Sequence, residues 1–127
     1  MRRKIVSTKR RQSAEKYGRF GEIIAALMLT IKGYQVLEWR RKTYMGELDL
    51  VARRGSFLVF VEVKLRKTLD EAQYAVTFTQ QKRIIKAASL YCHKRNWTQN
   101  FTWRYDIIAL APWQFPRHII DAFRPIG

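Results

Sequence analysis

The chain has 127 residues, with 25 Lys and Arg against 10 Asp and Glu, a formal net charge of +15 and a hydrophobic content of 47%. That length fits one domain with enough apolar material for a core, and the charge excess asks for a polyanionic partner, nucleic acid first and an anionic membrane surface second. No apolar run approaches the roughly 20 residues of a membrane span, the basic N-terminal stretch is not followed by an apolar h-region, and the lone Cys92 excludes a disulfide framework or a cysteine-based zinc site. The expectation is a protein of a reducing, cytoplasmic compartment with no membrane partner.

Met1 to Gln12 carries six Lys/Arg and no acid, and reads as a disordered basic arm ahead of a single domain over residues 13–127. Ser13 is placed to cap a helix from Ala14 to about Lys32, with Gly33 as its stop. Phe20, Ile24, Leu27 and Ile31 form one stripe, and the rest is nearly as apolar, so the helix is expected to be covered on most sides. Glu22 is the acid in that surround, either a salt-bridge partner or a carboxylate turned toward a site. Gly18 and Gly21, one turn apart, suggest close approach of another backbone. Tyr34 to Arg40 reads as a strand, and Arg40 to Met45 as a basic loop.

Met45 to Lys64 is the informative stretch. The alternating runs Glu47–Arg53 and Phe57–Leu65 flank Gly55-Ser56, a type II′ hairpin signal. In that register Asp49 faces Glu62 and Glu47 faces Lys64. All four share a face with Val51, Leu58 and Phe60, leaving Leu48, Leu50, Ala52, Val59, Val61, Val63 and Leu65 on the other. Opposed carboxylates repel, and Glu62 sits in Leu58-Val-Phe-Val-Glu-Val, apolar enough for a strand covered on both faces. A hard divalent cation on oxygen ligands would relieve both problems, with Lys64 as a point charge for phosphate. An ordinary salt-bridged hairpin face is the competing reading.

Thr77-x-x-Gln80 has capping-box spacing and opens a second helix, Phe78 to about Lys94, with Ile84, Ile85, Ala88, Tyr91 and Cys92 inward. Lys82, Arg83 and Lys86 crowd its first turns against the helix dipole, which suits an anionic ligand and equally a solvated basic face. Phe101 to Leu110 alternates as a strand, with Asp106 beside Ile108 and Leu110 as a structural ion-pair partner. Residues 117–123 allow a short last strand. His93 and His118 have no partner spacing for a catalytic or metal site. Trp97, Trp103 and Trp113 suit packing better than base stacking. The order helix, three strands, helix, strand specifies an α/β fold, a mixed sheet with helices packed on it.

Gly18-x-x-Gly21-Glu22, Gly33-Tyr34, Gly46-Glu47-Leu48-Asp49-Leu50, Phe60-Val-Glu-Val-Lys64 and Arg104-Tyr-Asp106 together resemble the YraN-like family of the PD-(D/E)XK nuclease superfamily, close to Holliday-junction resolvases. The resemblance runs from about Glu15 to Pro112 and implies an αβββαβ restriction-endonuclease-like core. It implies Asp49 and Glu62 as ligands of Mg²⁺, with Mn²⁺ as its substitute, the Val63 carbonyl as a third, and Lys64 as the residue that orients water or stabilises charge. It also implies Glu22 as an outer-shell acid and Gln81 as the polar residue of the second helix; Gln80 departs from a common Lys. The expected function is a metal-dependent nucleic-acid phosphodiesterase, a DNA endonuclease for branched or structured DNA, with Arg40, Arg41, Lys42, Lys82, Arg83 and Lys86 on the nucleic acid and a homodimer as its assembly. A non-catalytic nucleic-acid-binding module is the alternative.

Overall fold

The structure, a computed structural model, describes residues 18–126. The expected basic arm and the Ser13 cap lie outside the described residues. A helix (α1, residues 18–31) ends at a turn in which Gly33 takes φ 90°, the left-handed stop expected of it. Five strands follow: β1 (Gln35–Thr43), β2 (Gly46–Arg54), β3 (Phe57–Leu65), β4 (Thr102–Leu110) and β5 (Arg117–Phe123). They form one sheet in the order β1-β2-β3-β4-β5, with β3 and β4 parallel and the other pairs antiparallel. A parallel pair needs a crossover. Residues 66–101 supply it through α2 (Leu69–Gln73), α3 (Phe78–His93) and a 3₁₀ turn (Asn96–Asn100). This is the mixed α/β sheet with flanking helices that the sequence leads one to expect.

The β2–β3 hairpin has the expected register, from Arg54 opposite Phe57 to Leu50 opposite Val61. Gly55 takes φ 57° and Ser56 does not turn positive, the pattern of a type II′ turn. The capping box is complete: Thr77 Oγ1 accepts the Gln80 N–H at 3.1 Å and Gln80 Oε1 accepts the Thr77 N–H at 3.3 Å. Its inward face packs Ile84, Ala87, Ala88, Tyr91 and Cys92 onto Val51, Leu58, Phe60, Tyr105 and Ile107. Phe60 stacks on Tyr105 with ring centroids 5.7 Å apart. Truncating so enclosed an aromatic costs about 3–5 kcal/mol.

The other face of the sheet is closed by α1, and here the structure corrects the sequence reading. The helix presents Ala25, Ala26 and Leu29 to Leu50, Ala52, Val59, Val61, Ile108 and Leu110. Phe20, Leu27 and Ile31 point outward, at 60%, 58% and 85% exposure. The physical reason is distance: a Cβ on Gly21 would lie 3.1 Å from Leu110 Cδ1, so small residues let the helix settle onto the sheet and the large ones are left outside. Gly21 therefore accommodates side chains of the sheet, not another backbone.

Two further corrections bear on the site. Arg40, Arg41 and Lys42 belong to β1, which runs on to Thr43 and turns at Tyr44-Met45 into Gly46. Leu48 packs in the α3-side cluster, not with Leu50, because the ladder to β3 stops at Leu50 and the strands part beyond it.

Candidate functional site

The parting of β2 and β3 creates the site. Beyond Leu50 the Val63 N–H has lost its ladder partner, and Asp49 Oδ2 accepts it at 2.9 Å. This hydrogen bond fixes the Asp49 carboxylate at the mouth of the gap. Val63 thus enters the site through its N–H.

Glu62 lies next to Asp49. Burial raises its carboxyl first, and the Asp49 charge adds to it; the partial relief from Lys64 leaves it pushed up to about 9. Lys64 Nζ is 3.6 Å from Glu62 Oε1, and both side chains are largely enclosed. The expected Glu47–Lys64 pair is replaced by this one, since the register that would align them has ended.

Glu22, 7% exposed on the sheet side of α1, joins the group. Burial raises its carboxyl, and the nearby Asp49 and Glu47 charges add to that, while the hydrogen bond from Arg40 opposes it. Arg40 Nε donates to Glu22 Oε2 at 2.6 Å. The register pairs Trp39 with Leu50 and Arg41 with Leu48, which sets Arg40 opposite Asp49. Its φ of 47° is in the left-handed region, unusual for a strand residue, and its guanidinium lies over Gly18, where a Cβ would sit in ordinary contact 3.5 Å from Nη2. Arg40 is therefore an ion-pair partner inside the acidic cluster, and Arg41 and Lys42 stand exposed beside it.

A cleft of about 190 Å³ opens over Glu62, lined also by Glu47, Gln80 and Arg83. Gln80 and Arg83, from the first turns of α3, reach this cleft, whereas Gln81 turns its amide to the Val76 carbonyl at 3.3 Å. Lys82 and Lys86 are exposed on α3, Lys82 with its ammonium 4.9 Å from the Phe78 ring centroid. Sequence reasoning missed the Glu22–Arg40 pair and the place of Gln80 in the cleft. No spacing signalled the first, which joins a helix to a strand, and the reciprocal cap at Gln80 masked the second.

Asp106 stays apart, as a structural residue. It is fully buried, and it accepts from Arg104 Nε at 2.9 Å, from the Asp121 N–H at 2.9 Å and makes a 2.7 Å contact with His118 Nε2. Burial alone would raise its carboxyl; the hydrogen bonds from His118, Arg104 and Asp121 together outweigh it and hold the group below its ordinary value. Lys32 Nζ, 2.6 Å from His118 Nδ1, completes a chain from the turn after α1 to β5 that no spacing in the sequence announced.

Among the described residues no three His, Cys, Asp or Glu side chains converge as a complete metal cage. The donor set is instead two carboxylates in an oxygen-rich gap. That suits Mg²⁺, which keeps waters and shares its shell with substrate phosphate, and does not suit structural zinc. No helix among the described residues is long and apolar enough to cross a membrane.

Residues 21–110 match the model of the uncharacterised protein family UPF0102. A UPF0102 protein of Rhizobium meliloti (strain 1021) is 44% identical over 114 residues, covering 90% of this chain and 93% of that protein. A UPF0102 protein of Chelativorans sp. (strain BNC1) is 46% identical over 113 residues, covering 89% and 91%. One of Sinorhizobium medicae (strain WSM419) is 43% identical over 110 residues, covering 87% and 90%.

Proposed function

The chain belongs to UPF0102, an uncharacterised protein family, and since that membership carries no activity we propose from the site itself that the protein is a metal-dependent nucleic-acid phosphodiesterase of the PD-(D/E)XK type, acting on DNA. The observation that carries this reading is Glu62 enclosed beside Asp49 with its carboxyl pushed up to about 9. A fold gains nothing from holding two acids together in a poorly solvated gap, whereas a divalent cation turns the same pair into ligands.

Asp49 and Glu62 would hold the ion, with Glu22 close by as the third acid. Bound there, Mg²⁺ supplies a water of lowered pKa and positive charge at the scissile phosphate. Asp49 is oriented by the Val63 N–H, so the ligand needs no rearrangement to face the gap. Lys64, whose partner carboxylate would then be committed to metal, is left to face the phosphate as a point charge. Arg83 on the cleft, with exposed Lys82 and Lys86 on the same helix and Arg41 and Lys42 on β1, supports backbone contact that positions DNA without reading its sequence. A preference for branched DNA and a dimeric assembly rest on the resemblance alone.

Calorimetric titration with Mg²⁺ and Mn²⁺, on the wild type, Asp49→Asn and Glu62→Gln, tests the reading. The same samples are then assayed on duplex, single-stranded, flapped and four-way DNA. Metal binding and cleavage lost together in both variants are the expected result. No metal binding by the wild type, with DNA affinity equal in all three proteins, would overturn the enzyme and leave a binding module.

A further inference from the structure

On the α1 side of the sheet a groove of about 530 Å³ is lined by Phe20, Ile24, Leu65, Leu110, Trp113 and Phe115. Its walls are apolar, yet its aromatic residues are not packed. Trp113 is wholly exposed, Phe115 93% exposed and Phe20 60%. Trp113 takes φ 61°, a backbone conformation disfavoured for a bulky side chain. A large apolar residue held in water on a strained backbone is unfavourable twice over, and such strain clusters at ligand clamps. The loop is braced in this shape by Pro112 and Pro116 on either side and by the Gln114 N–H donating to the Ala111 carbonyl at 3.4 Å. Trp39 and Trp97 are 48% and 40% exposed, well below Trp113, and Trp103 is partly buried. Trp103 donates Nε1–H to the Thr98 carbonyl at 3.0 Å and packs on the α3-side core, and Trp97 stands edge-on to Phe101 with ring centroids 5.9 Å apart.

Two residues of the groove are chain neighbours of site residues. Gly21, on its wall, precedes Glu22 on α1, and Leu65 follows Lys64 on β3. A cation is tied to two of its lining residues: the Arg66 N–H donates to the Leu110 carbonyl at 3.0 Å and the Arg66 guanidinium to the Leu65 carbonyl at 2.9 Å, and Lys67 is exposed directly after it. Arg117, at the far side, is already engaged by Asp70 at 2.7 Å. Apolar aromatic walls next to Arg66 and Lys67 match the two halves of a nucleotide, a stackable base and an anionic phosphate.

We propose that this groove is a stacking site for an unpaired nucleobase, with Trp113 and Phe115 as its platform and Arg66 and Lys67 on the adjoining phosphates, so that the strand presented to the acidic site is one with unpaired nucleotides beside the target phosphate. The proposal rests on the nucleic-acid reading above but not on catalysis. A second copy of the chain is a poorer occupant of this groove, because the exposed Arg66 and Lys67 next to it would meet a partner that itself carries a net charge of +15.

The test is anisotropy titration in EDTA with a labelled single-stranded oligodeoxynucleotide, the oligoribonucleotide of the same sequence and a blunt DNA duplex. The proteins are the wild type, Trp113→Ala and Trp113→Phe. With its side chain in solvent, Trp113 is a residue whose loss leaves the core untouched. Single-strand affinity is expected to fall on the order of 10- to 100-fold in Trp113→Ala and to recover in Trp113→Phe, with duplex affinity unchanged. A loss on one single strand only names DNA or RNA as the source of the base. An equal loss on single strand and duplex, or no loss on any probe, overturns the proposal. So does a wild-type dimer in sedimentation that Trp113→Ala dissociates. Since no metal is present, this outcome is independent of the calorimetry that tests the enzyme.

Discussion

Asp49 Oδ2 accepts the backbone N–H of Val63 at 2.9 Å, at the point where the β2–β3 ladder has run out. One carboxylate thus closes a gap in the sheet with one oxygen. Asn can do the same through its amide oxygen, whereas Ala leaves the donor unpaired. Asp49→Ala should therefore lose on the order of 1–3 kcal/mol of stability, and Asp49→Asn much less, while both lose metal binding. Urea denaturation beside calorimetry separates the two roles; equal stability loss in the two variants would contradict the structural half.

Glu62 makes stability depend on pH in the metal-free protein. Its carboxyl titrates at 4.5 when exposed and is pushed up to about 9 in the folded chain by burial and the Asp49 charge. Between those values the folded state binds the extra proton, so the contribution is whole below 4.5 and is lost as pH rises toward 9. The slope is at most about 1.4 kcal/mol per pH unit. Glu62→Gln removes the titration. Thermal melts in EDTA across this range should show the wild type losing stability relative to Glu62→Gln as pH rises, and added Mg²⁺ should flatten the difference.

Arg40 combines an unfavourable backbone with a favourable ion pair. At φ 47° Gly is relaxed and Ala is strained, yet both lack the guanidinium that reaches Glu22. Arg40→Gly is expected to be more stable than Arg40→Ala by about 1 kcal/mol, the reverse of the usual order in a strand. Denaturant midpoints of the two variants decide it, and the usual order would mean that the backbone there relaxes on substitution.

Asp106 is the residue whose loss should damage the fold most among the acids. Removing it leaves Arg104, His118 and the Asp121 N–H without their acceptor in a buried setting. Asp106→Ala should cost about 3–5 kcal/mol, with β5 released first, visible as loss of amide protection at residues 117–123 by hydrogen exchange. Because the Asp106 carboxyl is held below its ordinary 3.8, its contribution is present above that pH and disappears as pH falls through the folded value. Protection of β5 should follow that acid limb in the wild type.

The exposed tryptophan illustrates how far a sequence reading can go. Trp97, Trp103 and Trp113 were indistinguishable as letters. Their separation is tertiary: Trp103 packs on the α3-side core and Trp97 against Phe101, while Trp113, between β4 and β5, stands in solvent.

By itself the sequence determined the features built from near neighbours. These are the hairpin register about Gly55-Ser56, the reciprocal cap of Thr77 and Gln80, the inward face of α3 and the placing of Asp49 next to Glu62. Each follows from periodicity or from hydrogen bonds a few residues long. Only the tertiary structure decided which side of α1 is buried, where Leu48 packs, which base Glu22 meets and what Asp106 holds together. A helix apolar nearly all round has no preferred face until close packing selects its small residues. A buried acid likewise has no partner until the sheet brings distant strands within hydrogen-bond reach.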